Sequence, residues 1–394
     1  MSKVLLHTPE GVRDVYGKEC ASKIALENKL NDVFTLYGYQ NIQTPTFEFF
    51  DIFNKEKGSV QSKDLYKFFD REGNTLVLRP DATPSICRSV AKYFMDDIVP
   101  VKLCYKANTF VNNYELQGKL KESTNMGCEL IGDNSIDADA EIIAVVVDSL
   151  KKSGLKEFLV EIGDVNFFKG LLEECNFTEE QEEELKDLVQ NKNFYGVETF
   201  LDSLGAPENV CNAFNKFPEL FGQKEVLDLA KTLTSNERAL MAIDRLEKLY
   251  NILDLYGATK YISFDLGMVS SFNYYTNIIF KAYTYGIGDA VVTGGRYDKL
   301  LSQFGKDAAS IGFGIHVDRL LLALYGQRVE VDCDYAYEVI VFEENKRKDA
   351  MKLAASLRKK GVKTELILKS ENIDINEYVT FKQDNGATKV TYLK

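Results

Sequence analysis

Between residues 18 and 37, apolar side chains recur at helical spacing, at Ile24, Leu26, Leu30, Val33, Phe34 and Leu36, which predicts an amphipathic helix. Gly38 follows as its C-cap, and an extended segment runs on to Pro45. Thr75 to Leu78 and Val99 to Tyr105 read as strands, with a helix between them at Ser85 to Phe94. Met126 to Gly132 is another strand, closed by the turn chemistry of Asp133-Asn134. A strongly apolar helix follows at Ala138 to Ser153, then a strand at Phe158 to Ile162.

From about 165 to 257 the pattern changes: Glu, Lys and Leu dominate and the periodicity is helical throughout. This predicts a helical insertion, whose acidic run Glu179 to Glu184 suits a solvated helix N-terminus. Strand character returns at Tyr261 to Gly267, at Asn273 to Tyr283 and in a segment leading into Gly294-Gly295. A helix is expected over about 311–325. The tail, 335–394, reads as a small α/β module: Val339 to Phe342 as a strand, a helix near 345–360, then a strand at Val362 to Leu368. The order of elements predicts an α+β fold, with a core over 1–325, rather than a doubly wound sheet.

Composition narrows the picture. The chain has 394 residues, room for two or three domains at ~100–200 residues each. No segment approaches the ~20 apolar residues of a membrane helix, the first residues lack signal-peptide character, and a cytoplasmic location is expected. The net charge of −12 argues against a nucleic-acid backbone as partner, because that affinity comes from Lys and Arg displacing counterions. The Lys/Arg-rich stretch from Lys346 to Lys369 reads as a solvated helix face. Seven dispersed cysteines, none at CxxC spacing, and only two histidines predict neither disulfides nor a metal site; no cofactor is expected.

Three ordered groups of motifs carry a resemblance. The first is Gly11-Val12-Arg13-Asp14 with Gly38 to Pro45 and Glu48. The second is Leu78 to Thr83, then Tyr105-Lys106, then Asn125 to Gly132. The third is Gly294-Gly295-Arg296-Tyr297-Asp298 leading into Gly312 to Arg319. Together they resemble the class II aminoacyl-tRNA synthetase core of histidyl-tRNA synthetases. The resemblance implies a six-stranded antiparallel sheet flanked by helices, a self-dimer, and a tail resembling a shortened anticodon-binding domain. It also implies a histidine pocket. Asp81, Thr83 and Glu129 match positions that hold the α-ammonium, Tyr274 and Tyr275 match an aromatic pair beside the imidazole, and Asn125 stands where the family has Gln.

The reactive end departs from the family pattern. Attack of a carboxylate on the α-phosphate of ATP needs fixed, always-charged donors, and Arg with its planar fork serves best. Lys106 and Asn108 are matched to the family's Arg and Glu of motif 2, and Ser270 to a second Arg. Arg319 keeps the motif 3 Arg, or simply pairs with a carboxylate such as Asp318 or Glu129. A synthetase fold with a partly kept pocket and a degenerate reactive end resembles the regulatory subunits of ATP phosphoribosyltransferase, as does the string Arg79-Pro80-Asp81-Ala82-Thr83-Pro84. That resemblance implies no catalysis by this chain itself. It implies a short-form catalytic subunit as partner and histidine as effector, in the first step of histidine biosynthesis. A tRNA- or amino-acid-sensing module and an active histidyl-tRNA synthetase are the alternatives.

Overall fold

The computed structural model describes residues 6–53, 60–94, 100–112, 119–269, 274–370 and 374–394. The chain divides into two compact units, 1–13 with 26–330 and 14–25 with 331–394. The elements run α1 (Gly17–Leu36), β1 (Gln40–Ile42), β2 (Phe47–Phe49), β3 (Lys67–Phe69), β4 (Thr75–Leu78), α2 (Thr83–Tyr93), β5 (Val101–Phe110), β6 (Glu122–Ile131), α3 (Ile136–Ser153) and β7 (Phe158–Asp164). A helical stretch follows: α4 (Val165–Leu172), α5 (Glu179–Gln190), α6 (Phe194–Leu204), α7 (Glu208–Asn215), the two-residue strand β8 (Phe221–Gly222), α8 (Glu225–Thr232) and α9 (Glu237–Leu255). The first unit ends with β9 (Ile262–Asp265), β10 (Ile278–Thr284), β11 (Val292–Arg296), β12 (Ser310–His316) and α10 (Val317–Gly326).

The main sheet has the order β1-β5-β6-β12-β11-β10-β7-β9-β8. Its middle six strands, β5 to β7 in that order, are joined by antiparallel ladders throughout. Parallel pairings add β1 at one edge and β9 at the other, and β8 pairs antiparallel with β9. A separate three-stranded sheet has the order β2-β4-β3.

Local chemistry sets the boundaries. Gly38 sits at φ +83° and donates its N–H to the Thr35 carbonyl at 3.0 Å, closing α1 as a left-handed cap does. Of the apolar positions on α1, Leu26, Leu30, Val33 and Phe34 are buried, whereas Ile24 and Leu36 are exposed. Helix α5 opens on a capping box in which Thr178 and Gln181 satisfy each other's backbone N–H groups, so the acidic run does lie in a first turn.

Three sequence expectations change here, the first being the strand at Asn273 to Tyr283, which begins only at Ile278, Asn273 itself lying outside the described residues. The segment 311–316 is strand rather than helix: Ile311, Phe313 and Ile315 alternate with Gly312 and Gly314, and β12 pairs with both β6 and β11. That is a period of two with glycines that weaken a helix, and the helix begins only at Val317. The stretch 165–257 is not wholly helical, since it also supplies β8, which is too short to leave a periodic signal. In the second unit, β13 (Tyr337–Phe342), α11 (Arg347–Lys359) and β14 (Thr364–Leu368) are followed by α12 (Ile375–Asp384) and β15 (Ala387–Leu393). Strand β13 is central, with parallel neighbours on both sides.

One face of the main sheet is fixed by a buried ion pair. Arg296 and Asp139 are each fully buried, with Arg296 Nε donating to Asp139 Oδ1 at 2.9 Å, and Arg245 Nε of α9 donating to Oδ2 at 2.9 Å. Removing one partner of such a pair strands a charge, which typically costs about 3–5 kcal/mol. Asp139→Ala is therefore expected to lower unfolding free energy by roughly that amount, read from the urea midpoint at unchanged m-value. A loss within the scatter of surface variants would show that the lock carries no load.

Candidate functional site

Strand alternation sends every second residue of the central strands to the opposite face. Tyr105 and Ala107 of β5, Asn125, Gly127 and Glu129 of β6, Thr293 and Gly295 of β11, and Gly312, Gly314 and His316 of β12 share one face through their cross-strand registers. Above that floor lie the Pro80–Thr83 turn, the start of α2, Tyr274, Tyr275 and Tyr297. The space between is a cavity of about 100 Å³, several waters' worth of room and the scale of an amino acid rather than a nucleotide.

The floor is open because it is glycine. A Cβ on Gly312 would fall 1.7 Å from Glu129 Oε2, and one on Gly295 would fall 2.7 Å from the Tyr275 ring. Glu129 thus lies across β12, only 1% exposed. Thr83 Oγ1 donates to its Oε1 at 2.8 Å and the Tyr297 hydroxyl donates to Oε2. Burial pushes the Glu129 carboxyl up to about 8, against the pull of the Tyr297 and Thr83 hydroxyls and with a push from the Asp81 charge. Asp81 Oδ1 accepts the Thr83 N–H at 3.2 Å, which fixes the second carboxylate at the mouth of α2. Asn125 donates Nδ2 to Thr109 Oγ1 at 2.7 Å, and its buried Oδ1 has no hydrogen-bond partner among the described residues. A buried acceptor on a pocket wall can take a donor from a ligand or from an ordered water. His316, at the same end, is held down to about 4 by burial and then by the Arg319 charge, so it is neutral at physiological pH.

All six candidate pocket residues, Asp81, Thr83, Asn125, Glu129, Tyr274 and Tyr275, line this one cavity. The tyrosine rings stand 4.7 Å apart, and Tyr274 meets Tyr297 edge-on at 6.1 Å. Tyr105, Tyr297 and His316 are among the wall residues that received no role from sequence. Tyr297 was findable, since it stands two residues after Gly295 and so shares its face.

Lys106 and Asn108 are not brought to the pocket. They alternate with Tyr105 and Ala107, so they project from the other face, where Lys106 pairs with Glu27 at 3.0 Å and Asn108 donates to Glu122 at 2.8 Å. Ser270 lies outside the described residues. Arg319 pairs with Asp289 at 3.3 Å and donates to the Ala290 carbonyl at 2.9 Å, in place of the Asp318 or Glu129 pairing considered from sequence. Asp318 instead accepts the Thr124 N–H at 2.8 Å. Among the described residues, none of those lining the cavity is Lys or Arg, no cluster could hold a metal ion, and no helix is long and apolar enough to cross a membrane.

Glycine-floored antiparallel strands under a carboxylate and a tyrosine pair make this a histidyl-tRNA synthetase-like protein, and the family model described as histidyl-tRNA synthetase matches residues 11–320. An ATP phosphoribosyltransferase regulatory subunit from Acetivibrio thermocellus is 38% identical over 391 residues, 99% of this chain and 94% of the relative. Another from Thermoanaerobacter pseudethanolicus is 40% identical over 377 residues, 95% of this chain and 98% of the relative. A solved structure from Bacillus halodurans, described as an ATP phosphoribosyltransferase regulatory subunit/histidyl-tRNA synthetase, matches with a TM-score of 0.88 at 31% identity, covering 99% of each chain. The chain belongs to the family of ATP phosphoribosyltransferase regulatory subunits.

The Glu129 carboxyl gives a stability signature. Its folded pKa of about 8 lies above its ordinary 4.5, so between those values the folded chain holds a proton that the unfolded chain has released. Stability from this group therefore falls as pH rises through that window and is flat above it. Glu129→Gln removes the loss, so its unfolding free energy should exceed the parent's by a margin that grows up to pH 8 and then levels. Parallel urea curves with a pH-independent gap would show that Glu129 ionises normally.

Proposed function

We propose that this chain is the non-catalytic regulatory subunit of a short-form ATP phosphoribosyltransferase, required for its activity and for feedback inhibition by histidine in the first step of histidine biosynthesis. The observation that carries the reading is the near-complete match, end to end, to proteins of that name. The pocket supports it chemically. Asp81 and Glu129 face one small cavity with Tyr274 and Tyr275 beside it, and these groups suit an ammonium and an imidazole ring. An ammonium seated between the two carboxylates stabilises Glu129 in its charged form, so binding near pH 7 drives a proton off this side chain.

Adenylation does not follow. Transfer at the α-phosphate needs positive donors at the reacting oxygens, and the described lining supplies carboxylates and hydroxyls instead. Ser270 adds to this on sequence alone; Lys106 and Asn108, on the far face, no longer bear on it. The chain acts in the cytoplasm as a self-dimer, and the 335–394 module is a shortened anticodon-binding-like domain without decoding. Feedback requires that histidine bind two states of the assembly unequally, since equal binding shifts nothing.

The test is phosphoribosyl-ATP formation by a short-form catalytic subunit of the same organism, with and without this chain, across a histidine titration. Activity should depend on the chain and fall with histidine. Asp81→Asn and Tyr275→Phe should keep the activation and raise the histidine needed for half-inhibition by roughly tenfold or more, the loss of one charged or polar contact. A rate and inhibition curve indifferent to the chain would overturn the assignment.

Calorimetry of histidine binding at pH 7, repeated in buffers of different ionisation enthalpy, should report close to one proton released per site. Glu129→Gln should abolish that release. Proton-neutral binding by the parent would remove Glu129 from the ammonium site.

A further inference from the structure

Behind the tyrosine pair lies a second cavity that the histidine reading does not use. Tyr274 and Tyr275 line both spaces and form the wall between them. The second cavity is the larger, at about 310 Å³, near the lower end of the ~300–1,000 Å³ common for small-molecule sites.

Its chemistry is opposite to that of the first. Lys169 from α4, Arg238 from α9 and Lys299 from the turn after β11 converge on it. Three cations gathered on one cavity in a chain of net charge −12 call for a counter-charge. Of the protein's own carboxylates nearby, Asp298 and Glu173 are already committed, and Asp164, whose buried Oδ2 has no hydrogen-bond partner among the described residues, forms no ion pair with Lys169. Asp298 Oδ2 accepts from Thr276 at 2.9 Å and Asn277 at 3.1 Å, and its Oδ1 accepts the Ser310 N–H at 2.9 Å. Glu173 takes Arg238 Nη1 at 2.8 Å, and Arg238 Nε is spent on Asn166 at 2.9 Å, which leaves Nη2 outside both bonds. Neither Lys169 nor Lys299 forms an ion pair with a described carboxylate. Lys169 is an accessible side chain set in a cleft, and partial burial first, then the charges of Arg238, Lys299 and Lys186, hold its ammonium below the ordinary lysine pKa, with Asp164 opposing.

We propose that this cavity is an anion site for a compact phosphate-bearing ligand, with Lys169, Arg238 and Lys299 as its donors. Two flexible ammonium groups suit phosphate oxygens as point charges, and one partly committed guanidinium gives them a fixed reference. The shared tyrosine wall makes the occupant a neighbour of whatever fills the first cavity. The inference stands on the second cavity alone and survives if the regulatory reading fails.

Calorimetric titration of the full chain with orthophosphate, pyrophosphate and ribose 5-phosphate tests it and separates the possible sources of the phosphate. At least one should bind saturably at one site per chain, more weakly as salt rises, because the donors are solvent-accessible. Lys169→Gln and Lys299→Gln, both on exposed side chains, should each weaken binding by roughly tenfold. Lys299→Arg should restore most of it, and Lys151→Gln, on α3, should change nothing. No saturable binding by any of the three probes up to millimolar concentration would overturn the proposal. So would binding that Lys169→Gln and Lys299→Gln leave intact.

Discussion

The structure depends on the strict alternation of its six central antiparallel strands, which gives one sheet two faces with opposed requirements. On the helix-covered face the strands carry bulk, and Phe313 meets Phe34 of α1 edge-on at 5.7 Å. On the other face Gly127, Gly295, Gly312 and Gly314 carry nothing. Each glycine in a strand sacrifices packing and conformational entropy, on the order of 0.5–1 kcal/mol against alanine. The return is a floor low enough for a carboxylate to lie on: a Cβ at Gly127 would stand 1.9 Å from the Phe313 carbonyl oxygen and 2.9 Å from the Tyr105 hydroxyl. The burial of that carboxylate in turn raises the Glu129 pKa. Pocket shape and pocket electrostatics therefore have one cause.

The segment Gly294 to Asp298 ties the two faces together. Successive residues go to opposite sides, so Arg296 enters the ion pair with Asp139 while Tyr297 reaches Glu129. Asp298 then holds Thr276, Asn277 and the start of β12. A displacement of this strand by one residue would exchange the two roles and bury a guanidinium in the pocket. Register here is thus fixed from both sides, by the Arg296–Asp139 pair on one face and by the Tyr297 hydroxyl on Glu129 at the other.

Much of this was legible in the sequence because periodicity and motif agreed. Thr75 to Leu78 and the helix ending at Ser153 coincide with β4 and the end of α3, and all six pocket residues converge. What was missed has physical reasons. Strand β12 was hidden because Ile311, Phe313, Ile315 and Val317 run without a break into α10, so an alternating pattern merges into a helical one. Strand β15 is mostly half-exposed and α12 buries no side chain completely, so neither leaves an apolar stripe. Lys106 and Asn108 were matched by chain order, yet facing is decided by parity along β5, and that parity turns on where Tyr105 points.

The distribution of charge bears on the proposal that this synthetase-like fold serves recognition without reaction. A site that joins an amino acid to ATP must hold the carboxylate of the amino acid within bonding distance of the α-phosphate, with the ammonium close by, so it must keep acidic and basic groups in one space despite their mutual attraction. Here the described residues largely separate them, although the hydrogen-bonded Asp298 also lines the larger cavity. The carboxylates face the small cavity over the glycine floor, and the cations converge on the larger one, with Tyr274 and Tyr275 between. Glu129 consequently has no described cation to hold it ionised, and the Lys169 charge is supported by Asp164 against Arg238, Lys299 and Lys186. A ligand of matching charge on either side would therefore change the protein's own energy. The two cavities share a wall, so the rings answer to both. A ligand-dependent energy of this kind is what the proposed sensing role requires.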